Sequence, residues 1–329
     1  MKKLLTLILA AALVVCVCGC SGDQGLKKVR LTEVTHSVFY APMYAAIQLG
    51  FFEEAGLEIE LTNAGGADKG MTAVLSGQAD IGFMGPEAAV YAINEGASDT
   101  PTVFAQLTQC DGAFLVSRVE EPDFQWENLI GKTVIGGRKG GVPEMTLEYV
   151  LRQKGIDPKN DLYIDTGVQF ALMGGAFIGG EGDYVALFEP TATQVVNKGH
   201  GYIVASIGAE SGSVPYTCYM ALDSYIKENA DTVDAFVRTL YRAQQWVMES
   251  SDEDVAKAIA GAFPDTDIAT LTQVVARYRS INAWAQTPVM TLESYERLLD
   301  IMQQAGELSA HPAFDAVIDN SIAEKIVNE

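Results

Sequence analysis

Two stretches of the chain constrain its fold more than any other feature: DIGFMGPEAAVYAINEG at 80–96 and DYVALFEPTATQVVNKG at 183–199. Both are 17 residues long, begin with Asp and end in Asn-x-Gly, and both place a Glu and a Pro together where a strand-like apolar run meets a helix-like run. The pair is reversed between them, Pro86-Glu87 in one and Glu189-Pro190 in the other. Proline suits the first helical turn, where its missing N–H costs nothing, and an acid there complements the helix dipole. A strand that delivers a helix N-terminus at its carboxyl end is also the place where open α/β sheets bind ligands. Glu87 therefore has two readings: an acid that dresses a helix start, or a group that faces something bound.

The surrounding units repeat the plan. KKVRLTEVT alternates like a strand, APMYAAIQLGFF follows as a helix with Pro42 in its first turn, GLEIELTNAGG is the next strand with its glycine loop, and DKGMTAVLSG is a helix. The pattern restarts after AFLVS with GKTVIGG, a helix from Pro143 to Lys154, DLYIDT and the glycine-rich helix QFALMGGAFIGG. This alternation predicts an α/β protein of two lobes, each a mainly parallel sheet flanked by helices. From Ser224 onward the signal is helical, which predicts a C-terminal helical extension packed on one lobe.

A length of 329 residues fits two domains. The N-terminus is a separate object: MKK, an apolar run from Leu4 to Val15, then VCGCS. That run is shorter than the ~20 residues of a spanning helix and fits a secretory signal. Val17, Cys18, Gly19 and Cys20 resemble a bacterial lipoprotein signal, which implies a lipidated Cys20, a signal over 1–19 and a tether over 20–27. Loss of Lys2 and Lys3 with the signal moves the formal charge from -21 to -23, so nucleic acid is not expected as a partner. Beyond Cys20 only Cys110 and Cys218 remain, which is no disulfide framework. A phosphate loop is incomplete, because the glycine needed five positions before Gly131 is Trp126, and there is no G-x-S-x-G elbow. His36, His200 and His311 lack metal-ligand spacing, so neither metal nor cofactor is expected.

HSVFYAPMYAAIQLGFFEEAGLEIEL followed by SGQADIGFMGPE resembles the SsuA/TauA and NMT1/THI5-like family of ABC-importer substrate-binding proteins, and the likeness continues through WENLIGKTVIGG, ALFEPTATQVV and the helical tail. The resemblance implies a type II periplasmic-binding-protein fold, with lobe 1 over 28–111 plus 218–329 and lobe 2 over 112–217. It also implies a non-enzymatic, monomeric receptor, extracytoplasmic and anchored to the cell membrane, that hands a small molecule to an ABC permease. Members of the family bind sulfonates, taurine, nitrate or thiamine-related pyrimidines. Two other roles stay open: a pyrimidine synthase of the THI5 branch, whose cysteine-rich stretch is missing here, and a ligand sensor for a membrane receptor.

In such a fold the strand-to-helix turns line the cleft. They nominate His36, Phe39, Tyr40, Gly85 and Glu87 from lobe 1, and Gly140, Gly141, Glu144 and Glu189 from lobe 2. The crossings near Cys110-Asp111-Gly112 and Tyr216-Thr217-Cys218 add Asp111 and Tyr216, and bring Cys110 and Cys218 forward as a possible disulfide. Four carboxylates on these turns, with Arg138 the sole nearby arginine, favour a ligand rich in N–H donors such as an aminopyrimidine over an anion.

Overall fold

The computed structural model describes residues 25–329. The signal segment, Cys20 and the tether up to residue 24 lie outside the described residues.

The first half-repeat runs β1 (Lys27–Glu33), a 3-10 turn (Val38–Tyr40), α1 (Ala41–Gln48), the short α2 (Phe51–Glu54), β2 (Leu57–Asn63), α3 (Ala67–Leu75), β3 (Ile81–Met84), α4 (Glu87–Asn94) and β4 (Pro101–Thr108). The second runs β5 (Phe114–Ser117), β6 (Thr133–Ile135), α5 (Val142–Gln153), β7 (Tyr163–Asp165), α6 (Phe170–Ile178), β8 (Tyr184–Leu187), α7 (Thr191–Asn197), β9 (Tyr202–Ser206) and the short α8 (Ile207–Ser211). The chain then returns through β10 (Thr217–Leu222) to a helical tail: α9 (Asp223–Glu228), α10 (Ala230–Glu249), α11 (Asp252–Ile259), α12 (Ile268–Ser280), α13 (Leu292–Ala305), α14 (Phe314–Val317) and α15 (Ser321–Val327).

Two five-stranded sheets result, ordered β2-β1-β3-β10-β4 and β7-β6-β8-β5-β9. In the first, β1 pairs parallel with β2 and β3, while β10 pairs antiparallel with β3 and β4. In the second, β6 pairs parallel with β7 and β8, while β5 pairs antiparallel with β8 and β9. Each sheet thus contains one reversed strand at the same position, and that strand is the one that arrives from the other sheet. β3 and β8, which carry the two similar sequence stretches, hold equivalent central places. Every residue of both strands is buried, which is why each reads as an unbroken apolar run rather than an alternation.

The tail completes the first sheet. Phe236 of α10 packs its ring against Phe52, Phe104 and Tyr219. Single bridges from Ile318 to Val103 and from Trp284 to Thr108 lie along β4, covering an edge that would otherwise offer unpaired backbone. Among the described residues no helix is long and apolar enough to cross a membrane.

Candidate functional site

The turns at the carboxyl ends of the strands of both sheets meet over a cavity of about 30 Å3, room for about two water molecules. Its wall takes Val34, Thr35 and Tyr40 from the β1–α1 turn, Gly85 and Glu87 from the β3–α4 turn, Arg138, Gly141 and Val142 from the β6–α5 turn, Phe170 and Phe188, and Tyr216 and Thr217 from the return connection. Phe39 lies one layer behind, its ring 5.7 Å from that of Tyr216 and 5.8 Å from that of Phe188.

Glu87 is the first residue of α4, with Pro86 as the N-cap. Its side chain folds back over Gly85, where a Cβ would stand only 1.9 Å from Oε2, so only glycine leaves room for it. Oε1 accepts the Val142 N–H at 3.4 Å, reaching from the first sheet's turn to the second's. Oε2 is buried and has no hydrogen-bond partner. Burial pushes the Glu87 carboxyl up to about 7, against the opposing pull of the Arg138 charge and the Val142 N–H.

Glu189 has the matching place in the second sheet and a different environment. Pro190, not the acid, caps α7, so Glu189 stands one residue outside the helix. Its carboxylate turns back to accept the Thr193 N–H and hydroxyl, each at 2.8 Å, and pairs with Arg277 of α12. Every oxygen is committed within the fold. Glu144 likewise braces its own loop, accepting the Gly140 N–H at 3.1 Å. Burial and the neighbouring Glu148 push it up to about 7. Neither acid lines the central cavity.

His36 is also turned elsewhere. Its Nδ1 lies 3.0 Å from Glu33 Oε1 and its Nε2 lies 2.8 Å from the Ala262 carbonyl oxygen, with the ring against Phe263. The bond to Glu33 raises its pKa above the usual histidine value. It borders a neighbouring cavity of about 210 Å3 that Lys69 and Glu189 also line and that shares Thr35, Phe170 and Phe188 with the first. Of the turn residues nominated from sequence, the central cavity brings together Tyr40, Gly85, Glu87, Gly141 and Tyr216. His36, Phe39, Asp111, Glu144 and Glu189 stay off its wall. Sequence reasoning misses Thr35, Phe170, Phe188 and Thr217 on this wall; Thr35, Phe188 and Thr217 adjoin nominated residues, whereas Phe170 carries no local signal.

Cys110 and Cys218 are free, buried thiols, a correction to the pairing considered from sequence. The register explains it. Cys218 stands opposite Gln106, four residues before Cys110, so the two are roughly 13 Å apart along the strand direction at ~3.3 Å per residue. A disulfide tolerates a Cα separation of no more than ~7 Å.

One short loop carries several of the polar contacts between the two halves of the site, and the Glu189 turn carries others, its carbonyl accepting from the Val38 N–H and the Ser37 hydroxyl. Arg138 Nε lies 3.5 Å from Asp68 Oδ1, Lys139 Nζ lies 3.4 Å from Glu307 Oε1, and the Tyr91 hydroxyl donates to the Gly140 carbonyl at 2.9 Å. Gly137 and Gly140 have φ of 88° and 71°, the left-handed conformation that lets the loop fold this tightly. Among the described residues no cluster of three or more His, Cys, Asp or Glu is placed to hold a metal ion.

Two sheets of the same plan, each with one reversed strand where the chain arrives from the other sheet, and a cavity between their facing turns define a two-lobed binding protein of the type II periplasmic fold. The chain belongs to the NMT1/THI5 like family, whose model matches residues 38–254. It is 44% identical over 310 residues to the putative binding protein YtlA of Bacillus subtilis, covering 94% of this chain and 93% of that one. A formylaminopyrimidine-binding protein of Halalkalibacterium halodurans is 23% identical over 71% of this chain and 70% of its own. The alkanesulfonate-binding protein SsuA from Xanthomonas axonopodis pv. citri, bound to MOPS, shares the fold with a TM-score of 0.74 at 15% identity, over 91% of this chain and 100% of that one.

Proposed function

We propose that this protein is the extracytoplasmic substrate-binding lipoprotein of an ABC importer, held at the membrane by Cys20, and that it closes on a small donor-rich heterocycle such as an aminopyrimidine. In this reading the lobes divide as 28–111 plus 218–329 and 112–217, and they rotate about the two connections. The observation that carries the ligand class is the unpartnered Glu87 Oε2 in a cavity walled by Tyr40, Phe170, Phe188 and Tyr216. A buried oxygen without a partner is costly, and a ligand N–H relieves that cost while its ring packs on the aromatic wall. A cationic or strongly donating edge also favours the ionised carboxylate, which burial alone disfavours. The distant likeness to a formylaminopyrimidine-binding protein supports the same class.

A cavity of about 30 Å3 is too small for a ring, so the ligand enters by parting the turns and is enclosed when they close. The loop contacts from Arg138 to Val142 would break and re-form in that motion.

Arg138 on the wall favours the second reading, an anion such as a sulfonate or nitrate. Thermal-shift binding separates the two, with aminopyrimidines in one panel and ethanesulfonate, taurine and nitrate in the other, for wild type and Glu87→Gln. A hydrogen bond to a charged group contributes roughly 1.5–3 kcal/mol, so the variant should bind bases about 10- to 100-fold more weakly. Stabilisation by anions alone, undiminished in Glu87→Gln, would refute the heterocycle reading.

A further inference from the structure

The central cavity does not stand alone. The neighbouring cavity of about 210 Å3 and a third of about 200 Å3 adjoin it, and Phe170, the first residue of α6, forms part of all three walls. Its ring lies 5.9 Å from that of Phe188. Lys69, in the first turn of α3, lines both outer cavities, and Gln169, the N-cap of α6, lines them from the other half of the molecule. A bare pyrimidine uses little of this space. Ligand sites commonly measure ~300–1,000 Å3, a size that the three cavities reach only together.

A lysine on an exposed helix face usually serves solubility alone, but Lys69 differs in what surrounds it. Asp68 Oδ1 lies 3.5 Å from Arg138 Nε, and the Glu189 carboxylate pairs with Arg277. His36 has an acceptor at each ring nitrogen, Glu33 Oε1 at 3.0 Å and the Ala262 carbonyl oxygen at 2.8 Å, so it carries two N–H groups and a charge that Glu33 balances. Of the charged side chains on the two outer walls, Lys69 alone makes no ion pair and no side-chain hydrogen bond within the described residues. In a chain of formal charge -21, one positive charge is thus left over beside the cleft. The central cavity has the complementary excess, since Glu87 Oε2 is a buried acceptor without a donor. An acceptor that lacks a donor and a cation that lacks an anion line adjoining cavities, with Phe170 between them.

We propose that the two outer cavities form a subsite for a negatively charged arm of the ligand, anchored by Lys69, so that the substrate is an amino-heterocycle with a monoanionic arm such as a carboxylate. The inference rests on the reading of the central cavity as the heterocycle site. One uncompensated positive charge matches a monoanion better than a phosphate dianion. The ring packs on Phe170 and Phe188 with its N–H edge at Glu87, and the arm passes Phe170 to reach Lys69. Gln169 offers a neutral donor from the opposite wall. Because Lys69 and Gln169 come from the two halves that close, the arm ties them together as well as setting specificity.

The test is titration calorimetry of the full chain at about pH 7.5, where carboxylates are ionised and lysine is protonated, with 2-aminopyrimidine-5-carboxylate and the neutral 2-aminopyrimidine-5-carboxamide. The two probes differ in charge and hardly in shape. Wild type should bind the carboxylate about 10-fold more tightly, one charge-assisted hydrogen bond being at stake. The preference should vanish in Lys69→Met, return in Lys69→Arg, and shrink in wild type at about 1 M salt, where the Debye length falls to ~3 Å. Equal binding of the two probes by wild type overturns the proposal, as does a preference for the carboxylate that survives in Lys69→Met. Benzoate separates this failure from that of the heterocycle reading. If neither pyrimidine binds while benzoate binds wild type and not Lys69→Met, the anionic subsite stands and the heterocycle reading falls; binding of none of the three rejects both.

Discussion

Replacing Glu87 by Gln should stabilise the ligand-free protein in mild alkali and leave it unchanged in acid. The magnitude follows from the shift. An unperturbed glutamate sits near 4.5, and burial raises Glu87 to about 7. The folded protein therefore holds this proton more tightly than the unfolded chain does. The corresponding stability is fully present below about 4.5, is lost as pH rises to about 7, and changes no further above that. At ~1.4 kcal/mol per pH unit the loss comes to about 3 kcal/mol. Glutamine does not titrate, nearly matches the shape of the acid and keeps an acceptor for the Val142 N–H. Urea unfolding of both proteins at about pH 4.5 and about pH 8.5 reads the effect, and the remaining acids cancel in the comparison. The variant should match wild type at the lower pH and exceed it by about 3 kcal/mol at the higher. A difference that is independent of pH, or a variant less stable in alkali, would refute the claim that Glu87 Oε2 is buried without a partner.

Three further outcomes follow from the same geometry. Arg277→Met strands the Glu189 carboxylate in the interior and should cost about 3–5 kcal/mol in urea unfolding, most of it recovered when Glu189→Gln is added. Gly112→Ala drives a methyl into the Phe39 ring and should cost ~1–3 kcal/mol, whereas Gly175→Ala, mid-helix in α6 with nothing within 4 Å, should gain about 0.5–1 kcal/mol; thermal unfolding of the pair gives opposite signs if the packing is as described. Arg138→Ala should change global stability by less than about 1 kcal/mol, since its pair with Asp68 is partly exposed. It should nevertheless move the Glu87 midpoint upward, by removing the cation that lowers it, as 13C NMR of the Glu87 carboxyl would register.

The sequence by itself determined the architecture, because the signals involved are local. Buried central strands show as apolar runs, helix starts show as prolines and acids, and the order of units repeats. The equivalence of β3 and β8 was legible in two 17-residue stretches, and the topology gives both strands the same neighbours. Local signals also placed the turns, so Tyr40, Gly85, Glu87, Gly141 and Tyr216 could be nominated for a wall they do line. What the sequence left open was the direction of each side chain at those turns. Glu87 and Glu189 look alike in one dimension, yet a partner 88 residues away, Arg277, pairs with the Glu189 carboxylate, while Glu87, on the cavity wall, keeps one oxygen without a partner. His36 is claimed by Ala262, 226 residues on, and the β10 register separates two cysteines that a looser reading puts side by side. Periodicity and capping are set within a few residues, so one dimension suffices to read them. The partner of a buried polar atom is set by whichever distant segment packs against it, and only the tertiary structure decides that.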